Sequence, residues 1–228
     1  MAFISVLNGM TTHAAWSRGI NEEGIKEKIV QAIVVRSANF LSESSSSVKG
    51  NEAAIQAKKL GDKLISLSEQ QVRIRIVDSE LMPTALETGE ILIPGEGMER
   101  YKTDALYFLF AHELAHIILR HSSTTIRWLA EYCDVEKIAS DKDIQQVGNC
   151  IKKNAEQVGV ANDSLTRLRW RQEYEADLWA VNFLRTYQLP VDYRGAIGAS
   201  RVPKDQSTVS HPSVESRISL IETMMNSR

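Results

Sequence analysis

Two histidines and a glutamate in the run His112-Glu113-Leu114-Ala115-His116 carry the most legible chemistry of this chain. Four residues of an α-helix advance the side chain by about 400°, so His112 and His116 share one face and both imidazoles reach one ion. Glu113 stands about 100° round from His112, beside an open coordination position rather than on the metal. Such a set holds a divalent cation and adds a carboxylate that handles a proton, which is equipment for metal-assisted hydrolysis. The flanks from Tyr107 to Leu119 are apolar on nearly every side, so the helix should be buried, and its three ionisable groups need partners.

A catalytic zinc site usually takes three protein ligands and keeps its fourth position for water, so a further ligand must lie downstream. The segment from Arg171 to Ala180 offers Glu173, Glu175 and Asp177. Glu173 and Asp177 are four apart and share a face with Ala176 and Ala180, small enough for close approach to a neighbouring helix. Glu175 points about 200° away from Glu173 and is expected in solvent. Glu173 is therefore assigned as the third ligand, and Asp177 as the carboxylate that orients a ligand histidine through its other ring nitrogen. His121 lies about 180° around the helix from His112 and about 140° from His116, which excludes it from the metal and leaves it a structural role.

These residues need elements to hold them. Ile25, Ile29, Ile33 and Val34 predict an amphipathic helix over about 21–41, and the serine-rich run Ser42 to Gly50 predicts a mobile linker. A second helix is expected from Glu52 to Leu67. Alternation of Val72, Ile74 and Ile76 with Arg73, Arg75 and Val77 predicts a strand over Gln71 to Asp78. Ile91-Leu92-Ile93 predicts another, after a turn at Thr88-Gly89 and before Pro94-Gly95, so a small antiparallel sheet precedes the histidine helix. Thr103 or Asp104 would cap that helix. Residues 122–162 read as a helical insertion, Ser164 to Tyr187 as a further helix closed by Pro190, and Leu189 to Ser210 as an irregular loop beside the site. The fold class is α+β and mostly helical, divided into an N-terminal segment with its linker, 1–50, and a catalytic domain, 51–228.

With 228 residues and a net charge of −2, the chain can bury a sizeable core and has no basic footprint for nucleic acid. No Sec signal is visible from Met1 to Ile20, and neither long apolar stretch, Ile29 to Val35 nor Ala105 to Leu119, spans a bilayer. A soluble, cytoplasmic protein without integral membrane insertion is expected. Cys133 and Cys150 lack the spacing of a structural zinc module and are read as free thiols.

Three ordered blocks, His112 to His116, Glu173-Tyr174-Glu175-Ala176-Asp177 and His211-Pro212-Ser213-Val214-Glu215-Ser216-Arg217-Ile218, resemble those of gluzincin peptidases of the CAAX prenyl-protease and HtpX type. The resemblance covers roughly residues 70 to 225. It implies a zincin-like fold, one zinc ion on His112, His116 and Glu173, Glu113 as base and Asp177 in support. It also implies that the strand Ile91, Leu92, Ile93 pairs with an extended substrate, that His211 donates a hydrogen bond near the substrate carbonyl, and that Arg217 forms a supporting ion pair. Pro212 suits the first turn of a helix and would hold His211 just outside it. Membrane-embedded relatives wrap this core in transmembrane helices; the chain has none, so their membrane substrates do not carry over.

The expected function is a zinc-dependent endopeptidase acting on protein or peptide substrates. A narrower version is a host-directed toxin, effector or phage-defence peptidase with one protein substrate. A reading of another class is a catalytically silent zinc-binding or chaperone-like protein, against which the intact Glu113 argues, since zinc binding alone needs no carboxylate at that offset.

Overall fold

The computed structural model describes residues 22–44, 46–78, 82–132, 149–150, 163–200, 207–208 and 210–226. In chain order these form α1 (Glu22–Ser44), α2 (Glu52–Ser66), β1 (Arg73–Val77), β2 (Thr84–Leu86), β3 (Glu90–Pro94) and a 3-10 turn at Met98–Arg100. Then come α3 (Thr103–Ile118), α4 (His121–Tyr132), α5 (Asp163–Thr186), α6 (Tyr193–Gly198) and α7 (Val214–Asn226). The class is α+β, mostly helical, with the small sheet ahead of the histidine helix. The reading of residues 1–20 and most of the expected insertion at 122–162 fall outside the described residues.

β3 is the middle strand. It pairs in parallel with β1, from Arg73↔Glu90 to Val77↔Pro94, and antiparallel with β2, from Thr84↔Leu92 to Leu86↔Glu90. The sheet is therefore mixed, not wholly antiparallel. The hairpin across Gly89 is where the turn signal puts it, and Gly89 has a φ of 90° that a side chain rarely adopts. A three-residue β2 carries too little pattern to read from sequence, and without it β1 and β3 look like hairpin partners. All five residues of β3 are buried because both faces are covered. Ile91 and Ile93 join Ile74 and Ile76 in the main core with α2 and α3, while Leu92 meets Val77, Leu86 and Ala38 of α1 on the other face.

That second layer explains the arginines of β1. Glu90 is buried and accepts hydrogen bonds from Arg73 Nε at 2.9 Å, Arg75 Nε at 3.1 Å and Ser42 Oγ at 2.9 Å, tying the end of α1 to the sheet. The serine-rich segment is no free linker either. Val48 N donates to Ile76 O and Asp78 N to Ser46 O, with a bridge between Ser47 and Val77, so this stretch lines the outer edge of β1. Its serines carry little apolar surface, but unpaired backbone groups on a strand edge are enough to hold them.

α3 runs through the centre, buried from Ala105 to Ala115, and touches α2, β2, α4, α5 and α6. Gly61 of α2 permits this packing, since a Cβ there would meet Ile74 Cδ1 at 2.2 Å and the Phe110 ring at 3.0 Å. Lys102 occupies the cap position of α3 without a side-chain bond, so neither Thr103 nor Asp104 caps it. After Ile118 the chain turns sharply through Arg120, which has a φ of 55°.

Cys150 is disulfide-bonded, which corrects the expectation of a free thiol there, while Cys133 lies outside the described residues. A disulfide is decided by the distance and direction between two Cβ atoms, and sequence spacing reports neither.

Candidate metal centre

α3 and α5 lie against each other, and the small buried residues Ala111, Ala115, Ala176 and Ala180 allow close approach. His112 Nε2 and His116 Nε2 stand 3.0 Å apart. Glu173 brings Oε2 to 3.6 Å from the first and Oε1 to 3.5 Å from the second. Among the described residues these three side chains form a group able to hold a metal, with ligand atoms all within 4.8 Å of one another.

The donor set suits zinc: two imidazole nitrogens and one carboxylate oxygen on rigid helices. Glu173 Oε2 is buried without a hydrogen bond, and its neighbouring cation, Arg217 Nη1, stays 3.4 Å away. A buried carboxylate oxygen left so placed favours a cation at the point where the histidines converge.

Outer partners hold both rings. His112 Nδ1 meets Asp177 Oδ1 at 2.9 Å. Arg217, from α7, grips the same carboxylate through Nε to Oδ2 at 2.8 Å and Nη2 to Oδ1 at 2.6 Å. Asp177 thus stands behind the His112 ring, and Arg217 behind Asp177. His116 Nδ1 meets His121 Nδ1 at 2.8 Å. His121 stays out of the ligand group, but not for the reason its helical angle gives: the helix ends at Ile118, and the turn at Arg120 brings His121 back onto His116.

Glu113 is buried on the cleft side of α3, and its Oε2 accepts a hydrogen bond from Ala85 N at 2.9 Å. It bonds to β2 and stands outside the group of three. His211 also lines the cleft; its Nε2 is 3.8 Å from Glu173 Oε1 and its Nδ1 is 2.8 Å from Ser210 Oγ. The His211 loop is anchored by Trp170 Nε1 donating to Thr208 O and by His211 N donating to Thr208 Oγ1. Pro212 precedes the helix rather than entering it: Ser213 accepts from Ser216 N, and α7 starts at Val214.

Electrostatics follow from burial and pairing. Burial opposes charge on His112, yet the hydrogen bond to Asp177 and the neighbouring Asp177 and Glu173 charges prevail and push its pKa up to about 10. His116 is pushed down to about 3 by burial and by the neighbouring His112 charge. Burial would raise the Glu173 carboxyl, but His112, His116 and Arg217 hold it well below the usual range. Burial pushes Glu113 up to about 7 against the pull of the His112 charge.

Ile91, Leu92 and Ile93 do not border this site as a substrate strand. They are buried, and β3 is bonded on both sides, so no edge is left for an added chain. The strand beside the site is β2, whose middle residue Ala85 turns its N–H away from β3 to Glu113. Two other features escape sequence reading. Helix α6 interrupts the expected loop at Leu189 to Ser210, with Asp192 as its cap accepting from Gly195 N at 2.8 Å. The Asp192-Tyr193-Arg194-Gly195 run is a cap signal that the nearby prolines mask. Its Ala196 and Ile197, with Phe108, Leu109, Met82 and Pro83, give a cleft of about 310 Å³ an apolar wall opposite the charged residues.

A His-Glu-x-x-His helix completed by a glutamate from a later helix, beside a short sheet, defines the zincin class of metallopeptidase. The chain belongs to peptidase family M48, which it matches over residues 67–225. No curated protein and no solved structure matches it. Among the described residues no helix is long and apolar enough to cross a membrane.

Proposed function

We propose that the protein is a zinc-dependent endopeptidase in which His112, His116 and Glu173 hold one zinc ion and Glu113 is the general base. The supporting observation is the placement of Glu113: outside the group of three ligand atoms within 4.8 Å, yet on the same cleft. When bound, zinc supplies Lewis acidity, acidifying water and polarising the scissile carbonyl. Ala85 N–H fixes one oxygen of Glu113, and the other takes the proton of the attacking water and returns it to the leaving amine. A carboxyl that burial pushes up to about 7 suits both halves of that exchange. With Ser210 Oγ–H donating to His211 Nδ1, the ring carries its proton on Nε2 and donates it in a hydrogen bond to the developing oxyanion. Arg217 positions Asp177 and, through it, His112.

The substrate is an extended protein or peptide segment laid along the outer edge of β2, where the Ala85 carbonyl accepts a main-chain N–H. An apolar side chain next to the scissile bond fills the wall of Phe108, Leu109 and Ile197. Incubation with an unfolded protein is the test: chelator stops cleavage and zinc restores it, while Glu173→Ala fails to retain zinc. Cleavage that persists after complete removal of zinc would overturn the proposal.

A further inference from the structure

The His116 ring has two nitrogens, and the metal centre uses one. Nε2 faces His112 and Glu173, so Nδ1 points outward and meets His121 Nδ1 at 2.8 Å. At that separation one nitrogen donates and the other accepts. A neutral His116 that offers its Nε2 lone pair to a cation carries its proton on Nδ1, so it donates and His121 accepts. His121 must then carry its own proton on Nε2. That nitrogen is buried without a hydrogen bond and faces Glu175 Oε2 at 3.4 Å. Glu175 is half-exposed, so its carboxylate has freedom to close on that N–H.

Resting on the reading of His112, His116 and Glu173 as ligands, we propose that His121 is a positioning residue of the metal centre. It accepts the Nδ1 proton of His116 and holds that ring in the tautomer whose Nε2 binds metal, and Glu175 holds His121 in turn. The backbone is built to keep it there. The turn at Arg120 places His121 first in α4, and its carbonyl accepts from Gln172 Nε2 of α5 at 3.0 Å. Gln172 Oε1 in turn accepts from Thr125 Oγ1 at 3.0 Å, which clamps α4 to α5. The two ligand histidines are thus oriented by different chemistry: His112 by a carboxylate locked to Arg217, His116 by a second imidazole.

Zinc affinity, read by competition with a chromophoric chelator, tests this on the full chain. His121→Phe fills the space but accepts nothing, and its affinity falls by about 10–100-fold. His121→Asn places Oδ1 where Nδ1 was and restores most of the loss, a rescue that mere filling of space does not give. The visible spectrum of the cobalt-substituted protein shifts in His121→Phe and returns in His121→Asn. A folded His121→Phe protein that binds zinc as tightly as wild type overturns the inference. If the variant does not fold, nitrogen-15 spectra of the histidine rings in the zinc-loaded wild type decide. A proton on His121 Nε2 supports the inference; a proton on His121 Nδ1 overturns it. Wild-type protein that takes up no zinc would instead defeat the metal reading beneath it.

Discussion

Arg217 sits buried between two carboxylates, bonded twice to Asp177 and 3.4 Å from Glu173. Its pKa is raised: burial works against the charge, and the Asp177 charge and hydrogen bond outweigh it. Removing one partner of such a group strands the others, which costs about 3–5 kcal/mol. Arg217→Leu should lower the stability of the metal-free protein by about that much in urea denaturation. A loss under about 1 kcal/mol would show that the guanidinium does not hold this cluster together. At this scale the candidate ligands and Asp177 are legible because helical spacing is local: His112 with His116 and Glu173 with Asp177 each repeat at one turn. His121 is not legible, since a left-handed residue at Arg120 cancels any angle counted through it.

Helix α1 belongs to the sheet as a second covering layer. Its Ala38 packs on Val77, Leu86 and Leu92, and its Ser42 joins Arg75 on Glu90. Burial would raise the Glu90 carboxyl, but hydrogen bonds from Arg75 and Ser42 and the charges of Arg75 and Arg73 hold it below the ordinary value. A depressed folded pKa means the stability is fully present above the unfolded value, about 4.3, and is lost as pH falls through the folded one. Glu90→Gln should therefore lower stability at pH 7 and flatten its decline in acid, measured by urea denaturation from pH 7 to pH 3. An unchanged acid slope would mean that Glu90 does not link α1 to the sheet. Alternation in β1 is readable from sequence, and so is its Arg73 and Arg75 face. That Arg75 on this face is largely covered while Arg73 stays exposed is a tertiary fact, decided by a helix some thirty residues earlier. The place of β3 in the middle of the sheet is of the same kind, and it moves the open edge to Ala85.

Across the whole molecule, family M48 membership over residues 67–225 coincides with the span from just before β1 to α7, while α1 and α2 precede that span and pack onto it. The order of blocks, histidine helix, glutamate helix, then His211 and Arg217, is readable because chain order survives folding. The cleft is not, because Met82, Phe108, Ile197 and His211 come from four separate stretches. The proposed chemistry of the assembled cleft rests on Glu113. The most direct measurement compares wild type and Glu113→Gln at matched zinc content for cleavage of an unfolded protein. The variant should keep its zinc and its fold while its rate falls by about 10²–10⁴-fold, the usual weight of a general base. A zinc-loaded Glu113→Gln protein that cleaves at the wild-type rate would contradict the assignment.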